Sequence, residues 1–320
     1  MPFLSIAPGH MTRFPERKGT LERVHQFDEP SIGAVNAALA AQRPLLVRGE
    51  PGVGKTQLAE AAAIELQRAF VPFTVDARTE SRDLLWRFDA VQRLAQAQLY
   101  AASNKQWEDV ERELAERNFV RPGPLWWAFD ATSAKETSRG ATPLDQPDNA
   151  ARAANGWVVL IDEIDKAESD VPNGLLEALG AGQFTSFGYE QSIHVTGVAP
   201  LIVITTNEER TLPNAFLRRC LVLTLAVPSE DDALIEYLTE RGRAHFGEAT
   251  SAEVLQEAAR QLVKDRKEAA KDPHNPKPGQ AEYLDLVRAV IELADGDVAR
   301  QKALLATVAR FTLIKHLGRS

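Results

Sequence analysis

Residues 49–56 read Gly-Glu-Pro-Gly-Val-Gly-Lys-Thr, which matches the pattern G-x-x-x-x-G-K-[ST] at every fixed position. The run before it (43–48, RPLLVR) predicts a short buried strand, and the run after it (55–69) is rich in helix formers. A strand, a glycine-rich loop and a helix in this order are the context in which this motif binds phosphates. The stretch therefore predicts an α/β fold built around a nucleoside-triphosphate site.

The residue types in this loop explain how it would hold a triphosphate. Gly52 and Gly54 allow a tight turn that points successive backbone N–H groups at phosphate oxygens, at a helix N-terminus that favours anions. Lys55 would place its charge on the β- and γ-phosphates, and the Thr56 hydroxyl would ligate Mg²⁺. The residues predicted to bind the nucleotide are Glu50, Pro51, Gly52, Val53, Gly54, Lys55, Thr56 and Gln57.

The composition, with 44% hydrophobic and 26% charged residues, is that of a soluble globular protein. A net charge of −8 argues against general binding to nucleic acid or membrane surfaces. No apolar run reaches the ~18 residues of a membrane span, and residues 1–20 lack the apolar core of a signal peptide. The single cysteine, Cys220, excludes an intrachain disulfide. These features predict a cytoplasmic protein.

Predicted strands alternate with helical patterns in the first two thirds of the chain, which indicates a parallel sheet covered on both faces. These strands are 43–48, 71–75, 157–161, 201–205 and 221–227. From residue 229 onward the pattern is that of about four amphipathic helices. We predict an N-terminal arm over 1–30, a nucleotide-binding αβα domain over 31–228 and a helical domain over 229–320.

Three stretches inside the predicted αβα domain need separate interpretation. The spacing of apolar residues predicts one long helix over 81–102. The polar composition of 130–156 predicts a mobile surface loop. The Pro-Gly-Pro sequence at 122–124 predicts a helix stop that exposes Trp126 and Trp127 outside the main core. Core packing of the two tryptophans remains the alternative.

Two acids close the predicted strand 157–161. Asp162 and Glu163 should emerge at the carboxyl edge of the sheet, where ligands of open α/β sheets bind. Phosphoryl transfer to water needs a carboxylate that holds Mg²⁺ and a polar group that orients the attacking water. Asp162 suits the first role and Glu163 suits the second.

Further polar groups lie next to the last two predicted strands, 201–205 and 221–227. Asn207 ends the strand at 201–205 and would help to hold the water, although asparagine is also common in turns. Arg218 and Arg219 precede the last strand. An arginine far along the chain from the phosphate loop is typical of a finger that acts on a neighbouring subunit's nucleotide, and a basic surface pair is the alternative.

These stretches resemble the motifs of AAA+ ATPases, specifically of the MoxR-type branch, over about residues 30–230. Two of them mark the branch: 119–125, read F-x-x-x-G-P-L, is similar to its helix-2 insert, and 183–195 is similar to its pre-sensor-1 hairpin. The general motifs are 49–56 (similar to Walker A), 158–163 (VVLIDE, Walker B), 204–207 (ITTN, sensor 1) and 213–219 (PNAFLRR, ending in the arginine finger).

The resemblance implies an AAA+ αβα sandwich of the P-loop NTPase type, followed by a small all-α lid. It also implies ATP and Mg²⁺ as ligands and a homo-oligomeric, hexameric ring whose ATP hydrolysis remodels or activates a partner protein. A protein with a von Willebrand factor A domain is one candidate partner. Glu163 takes the position of the hydrolytic glutamate, and Arg219, ahead of Arg218, that of the finger. The stretch 278–282 (PGQAE) lacks the lid arginine called sensor 2.

Two other classes of function stay open from the sequence. One is a nucleotide-gated regulatory scaffold with little turnover, against which Glu163, Asn207 and Arg219 argue together because binding alone needs none of them. The other is a nucleic-acid or GTP-driven motor subunit, which the net charge disfavours.

Overall fold

The computed structural model describes residues 3–14, 23–102, 105–272 and 275–313. Residues 15–22 of the predicted arm and 314–320 of the predicted helical domain lie outside the described residues. The chain divides into two compact units. The first contains the described residues of 1–6, 29–48 and 58–223, and the second those of 7–28, 49–57 and 224–320. The boundary expected at 228 stays a prediction.

Five parallel strands form the sheet of an AAA+ P-loop NTPase fold, with helices on its flanks. The strands in the described residues are β1 (Met11–Arg13), β2 (Val24–Gln26), β3 (Leu45–Gly49), β4 (Ala69–Thr74), β5 (Trp86–Phe88), β6 (Val120–Pro122), β7 (Trp157–Asp162), β8 (Gln183–Phe184), β9 (Ile193–His194), β10 (Leu201–Thr206) and β11 (Leu221–Leu225). The order in the large sheet is β11-β3-β10-β7-β4. All five predicted strands are therefore confirmed, with ends shifted by a few residues.

Helices make up most of the remaining described structure. They are α1 (Glu29–Ala41), α2 (Lys55–Glu65), α3 (Ala90–Ala101), α4 (Trp107–Glu113), α5 (Pro124–Phe129), α6 (Ala131–Thr137), α7 (Pro147–Arg152), α8 (Asp170–Gly174), α9 (Leu176–Ala181), α10 (Asn214–Leu217), α11 (Asp231–Phe246), α12 (Ala252–Ala269), α13 (Gln280–Ala294) and α14 (Val298–Thr312). Among the described residues, no helix combines the length and the apolarity that a membrane span requires.

The interior strands β7 and β10 are buried because they carry almost uninterrupted apolar sequence. Residues Trp157 to Ile161 and every residue of β10 are buried, as expected for strands covered on both faces. The register pairs Ile204 with Ile161, so the two strands end side by side. Polar residues that follow them are thereby brought to the same sheet edge.

The second unit has a helical core of its own, built by α11 to α14. Their buried apolar side chains, such as Leu238, Leu262 and Val287, recur at helical spacing and pack against one another. The four helices predicted from the sequence after 229 are confirmed in the described residues. An antiparallel pair, β1 with β2, also belongs to this unit, so the predicted N-terminal arm contains regular structure.

The long helix predicted over 81–102 is wrong in its first half. Trp86–Phe88 forms β5, which pairs antiparallel with β6. The helix begins only at Ala90, where the Asp89 carboxylate accepts a hydrogen bond from the backbone N–H of Gln92. Pairing with a distant strand and a capping aspartate thus override the helical spacing of the apolar residues.

The surface loop predicted for 130–156 is also wrong, because the segment forms α6, α7 and two short 3-10 turns. Its polar residues build this structure themselves. Asp130 caps α6 by accepting from the N–H groups of Thr132 and Ser133. Asn149 is buried and bonds both the N–H and the carbonyl of Phe70, each at 2.8 Å. Side-chain hydrogen bonds to the backbone replace the apolar burial that the composition lacks.

Trp126 and Trp127 lie in the core, so the prediction that they lie outside it is wrong. Trp126 has no exposed surface, and its indole N–H donates to the Ser133 hydroxyl at 2.8 Å. Its ring meets Phe184 and Tyr189 edge-on, with centroids 5.8 and 5.3 Å apart. The Pro-Gly-Pro sequence begins α5 instead of exposing the residues after it, because proline is well accommodated in the first turn of a helix.

Replacing Trp126 should therefore destabilise the protein strongly. We expect Trp126→Ala to lower the free energy of unfolding by ~3–5 kcal/mol, because it leaves a large cavity and removes the hydrogen bond to Ser133. Trp107, which is 75% exposed, is the matched control. Trp107→Ala should change the free energy of unfolding by no more than ~0.5 kcal/mol. Denaturant titration measures both, and equal effects would contradict the core assignment.

Candidate active site

Glu163 follows β7 directly and adopts a backbone conformation that side chains avoid. Its φ of 60° and ψ of 50° lie in the left-handed region. This conformation costs about 1–2 kcal/mol in a residue other than glycine, and it persists where surrounding contacts hold it. The turn lifts the Glu163 carboxylate away from the strand direction, at the carboxyl edge of the sheet.

Thr205 of β10 supplies the contacts that hold this turn. Its buried hydroxyl donates to Asp162 Oδ1 at 2.6 Å and accepts from the backbone N–H of Glu163 at 2.9 Å. One hydroxyl therefore orients the side chain of the first acid and the backbone of the second. This role was missed from the sequence, although the position follows from the pairing of two adjacent strand ends.

Asn207 reaches the Glu163 carboxylate from the neighbouring strand end. Its amide Nδ2 donates to Glu163 Oε1 at 3.3 Å. The backbone N–H groups of Asn207 and Glu209 donate to Oδ2 of the buried Asp165, at 3.2 and 2.9 Å. Asp165 thereby fixes the loop that presents Asn207. Glu163 and Asn207, which follow adjacent strands, are therefore in contact.

A cation that the sequence did not reveal also contacts Glu163. Lys166 Nζ donates to Glu163 Oε2 at 2.5 Å, three residues further along a 3-10 turn. This hydrogen bond raises the pKa of Lys166 above its ordinary value. Both carboxylate oxygens of Glu163 thus have a hydrogen-bond donor, one neutral and one charged.

The predicted phosphate loop, residues 49–57, belongs to the second unit. Gly52 and Gly54 have φ of 78° and 95°, as the tight turn requires. Lys55 is buried, and its ammonium group donates to the carbonyls of Gly49 and Glu50 at 2.8 and 2.9 Å. The loop folds around the lysine at the start of α2, where helix N–H groups and the dipole favour an anion.

Helices of the same unit contact this loop closely. Arg266 of α12 donates to both carboxylate oxygens of Glu50, at 2.5 and 2.8 Å, and to the Pro278 carbonyl at 3.0 Å. A Cβ on Gly52 would lie 2.6 Å from Ala281 Cβ, so glycine is required there for packing as well. The stretch 278–282 carries no arginine, but an arginine from the preceding helix contacts the loop.

His25 of β2 is a second buried group beside the loop, since a Cβ on Gly54 would lie 3.9 Å from its Nδ1. Burial, and then the positive charge of Arg241, lower the pKa of His25 to about 4. The ring meets Phe27 edge-on at 4.7 Å. At neutral pH the imidazole is therefore uncharged.

Arg218 and Arg219 have exposed side chains on a backbone that is firmly held. Arg43 donates to the carbonyls of both residues, with a distance of 3.0 Å to that of Arg219. The N–H of Leu221 donates to the Pro44 carbonyl at 2.9 Å. Arg219 Nη1 donates to the Ala215 carbonyl at 3.2 Å. The two guanidinium groups are presented at the protein surface.

No cluster of three or more His, Cys, Asp or Glu side chains in the described residues is arranged to hold a metal ion. Mg²⁺ in nucleotide sites commonly takes few protein ligands and completes its shell with phosphate oxygens and water. The Thr56 hydroxyl and the Asp162 carboxylate are of the hard oxygen type that such a site uses.

The chain is similar to a known protein family and to solved structures. A model of the AAA domain (dynein-related subfamily) matches residues 44–220. A solved structure of a point mutant of Thermotoga maritima RuvB is 14% identical and aligns with a TM-score of 0.46, over 88% of this chain and 68% of that chain. No curated protein matches the sequence.

Acid should destabilise the protein through His25. The unfolded state takes up a proton near pH 6.5 and the folded state only near pH 4, so the free energy of unfolding should fall as the pH drops between these values, by up to about 3 kcal/mol. His25→Phe keeps an aromatic ring against Phe27 and should remove this part of the pH dependence. The exposed His194→Gln is the control, and a wild-type pH profile in His25→Phe would contradict the assignment.

The contact between Glu50 and Arg266 should appear as a measurable coupling. In a double-mutant cycle with Glu50→Gln and Arg266→Gln, measured on the free energy of unfolding, we expect a coupling free energy of ~0.5–1 kcal/mol. The value is small because Glu50 is partly exposed and solvent screens the pair. The value should shrink at high salt. The more exposed pair Lys302–Glu253 is the control and should couple more weakly. Zero coupling at low salt would show that the contact is not formed in solution.

Proposed function

Because the chain belongs to the AAA domain family, dynein-related subfamily, we propose that it is an ATPase that hydrolyses ATP with Mg²⁺. The observation that carries this proposal is the conformation of Glu163. A left-handed glutamate held by Thr205 and contacted by Asn207 at the carboxyl edge of the sheet supports a catalytic role, because backbone strain of this kind clusters at active sites. Binding alone would not require this arrangement.

We assign the roles residue by residue. Lys55 and the backbone N–H groups of residues 50–57 bind the phosphates. Glu163 orients the attacking water and takes its proton as the water oxygen bonds to the γ-phosphorus and ADP leaves. Asn207 holds the Glu163 carboxylate in position. Arg219, with Arg218 as the competing candidate, stabilises the charge of the transferring phosphoryl group.

The Thr56 hydroxyl and the Asp162 carboxylate are the groups we assign to Mg²⁺. When bound, the ion would neutralise charge that develops on the phosphate oxygens. Thr205 hydrogen-bonds one oxygen of Asp162 and so holds the carboxylate in a defined orientation at the sheet edge. This preorientation supports the assignment.

We further propose that the protein is of the MoxR-type branch and acts as a homo-oligomeric, hexameric ring on a partner protein. Two features support the branch. The segment between β4 and β7 contains the small sheet β5–β6 with α3 and α4, and β8 pairs antiparallel with β9 before β10. Ring assembly is proposed because exposed arginines on a rigid backbone can reach a neighbouring subunit. We propose a von Willebrand factor A domain in the partner by analogy with the family.

One observation favours the alternative of a regulatory scaffold with little turnover. Lys166 occupies Oε2 of Glu163 at 2.5 Å, and an oxygen held by an ammonium group is not open to an attacking water. The scaffold would bind ATP and change state without fast hydrolysis. Lys166→Met distinguishes the scaffold from the ATPase. If Lys166 restrains Glu163, as the scaffold requires, the substitution should raise ATP turnover; if it does not, turnover should stay at the wild-type level.

Two substitutions should separate binding from chemistry. Lys55→Ala should abolish ATP binding because it removes the phosphate-binding charge. Glu163→Gln should retain binding and lose ~10²-fold or more in turnover, because the amide cannot accept the proton of the water. Calorimetric titration and a phosphate-release assay measure the two effects. Wild-type turnover in Glu163→Gln would refute the catalytic assignment.

The arginine finger should act between subunits. Arg219→Ala should bind ATP normally but lose ~10³-fold or more in turnover. Mixing it with Lys55→Ala should restore part of the activity, because one variant has an intact phosphate loop and the other an intact finger. Turnover per subunit should also rise with protein concentration.

Arg218→Ala is the matched control for this experiment. It should keep more activity than Arg219→Ala, since both residues share the same backbone support from Arg43 but only one is expected to reach the nucleotide. Full turnover of the wild-type protein as a monomer at nanomolar concentration would contradict action between subunits.

A further inference from the structure

The turns that follow β7 and β10 each contain a left-handed glutamate. Glu163 has a φ of 60° and Glu208 has a φ of 61°. Residues other than glycine rarely adopt this conformation, and it persists where surrounding contacts fix it. We call residues 163–166 the β7 turn and residues 207–209 the β10 turn. Both turns therefore depend on contacts from outside themselves.

Each strand end supplies a side chain that binds the backbone beyond the other strand. Thr205 of β10 accepts a hydrogen bond from the N–H of Glu163 at 2.9 Å. In the opposite direction, Oδ2 of Asp165 in the β7 turn accepts from the N–H groups of Asn207 and Glu209, at 3.2 and 2.9 Å. These two residues flank the left-handed residue of the β10 turn. The two turns are thus attached to each other reciprocally.

The Asp165 carboxylate makes these bonds out of contact with water. The residue is only 2% exposed, and its other oxygen, Oδ1, is buried with no hydrogen-bond partner among the described residues. Burying a charged group that is not fully hydrogen-bonded costs free energy. A charged acceptor also binds N–H groups more strongly than a neutral one, so the carboxylate holds the β10 turn more firmly than a neutral side chain would.

The place of the Asn207 amide follows from this attachment. Asn207 Nδ2 donates to Glu163 Oε1 at 3.3 Å, which is at the long end of the range for a hydrogen bond. Asp165 holds the backbone N–H of the same asparagine. Because the asparagine side chain is short, a displacement of its backbone moves the amide with it. A shift of about 1 Å away from Glu163 would break the contact.

We propose that Asp165 is a positioning residue for ATP hydrolysis, which keeps the Asn207 amide on the Glu163 carboxylate by holding the β10 turn against the β7 turn. The inference rests on the proposed function, in which Glu163 orients the attacking water and takes its proton. In this role Asp165 contacts neither the nucleotide nor the water. It acts through Asn207.

Substitutions of Asp165 test the role through kcat and the Kd for ATP. Asp165→Ala should lower kcat at least about tenfold, because the amide that holds Glu163 is misplaced. The Kd for ATP should change less than about threefold, since the residues assigned to phosphate binding are intact. Asp165→Asn should recover most of the lost kcat, because its amide oxygen can accept from the same two N–H groups. A phosphate-release assay and calorimetric titration measure the two quantities.

A second variant covers the case in which Asp165→Ala does not fold. Asp165→Ser keeps a polar atom in the buried site, but its hydroxyl is too short to reach both N–H groups. It should therefore fold and still lower kcat at least about tenfold.

A double-mutant cycle on kcat shows whether Asp165 acts through Asn207. Asn207→Ala should itself lower kcat at least about tenfold. Adding Asp165→Ala, or Asp165→Ser in its place, should lower kcat less than about twofold further, because the amide that Asp165 positions is already absent.

Asp130 is the matched control for the loss of a carboxylate that binds backbone. It accepts from the N–H groups of Thr132 and Ser133 at 3.1 Å each and caps α6, which carries none of the residues assigned to hydrolysis. Asp130→Ala should lower the midpoint of thermal unfolding, yet leave kcat within about twofold of the wild-type value. A general loss of stability is thereby separated from a loss of positioning.

Four outcomes would overturn the proposal. They are wild-type kcat in the Asp165 variants, no recovery in Asp165→Asn, independent effects of the Asp165 and Asn207 substitutions, or a loss of ATP binding that matches the loss of kcat. Each of them leaves the proposed function standing if Glu163→Gln is inactive. Wild-type turnover in Glu163→Gln would overturn both.

Discussion

The hydroxyl of Thr205 is the contact on which the proposed catalytic geometry depends. It donates to the Asp162 carboxylate and accepts from the N–H of Glu163, so a single side chain on β10 orients two consecutive residues after β7. This is possible because the parallel register ends the two strands side by side. The strain of a left-handed glutamate is tolerated since the hydroxyl satisfies the N–H that the turn leaves without a strand partner.

Long apolar runs predicted the fold well. A fully buried strand needs an uninterrupted apolar sequence such as that of β7 or β10, and few other secondary structures need one. The neighbours Asp162, Glu163 and Asn207 were predictable for the same reason, since each follows a strand in one parallel sheet. The hydrogen-bond partners of Glu163 were harder to predict from the sequence. Lys166 contacts Glu163 only because the chain enters a 3-10 turn after β7. Thr205 contacts Glu163 because the register of β10 against β7 places it beside the end of β7. Neither fact is encoded in a local pattern.

The predictions that were wrong share one physical cause. A local sequence pattern does not reveal which distant residues will pack against a side chain. Trp126 follows a proline-rich stop, yet packs against Phe184 and Tyr189 from the β8–β9 hairpin and the loop that joins its strands. Asn149 reads as a loop residue, yet satisfies the backbone of a neighbouring strand. Helix α3 has apolar residues at helical spacing, yet its Leu94 and Leu99 are exposed. Tertiary contacts decided each case against the local preference.

The phosphate loop and the groups that pack on it are distant in the chain, with Glu50 and Arg266 separated by 216 residues. Synthesis proceeds from the N-terminus at about 5–20 residues per second, so a ribosome would make Arg266 roughly 10–40 s after Glu50. During that interval the nascent loop lacks the helix residues that Gly52 and Glu50 contact in the finished protein. A chain released before α12 and α13 are complete would carry the intact phosphate-binding motif without its support, and such long-range closure is also expected to be a late and slow step of folding.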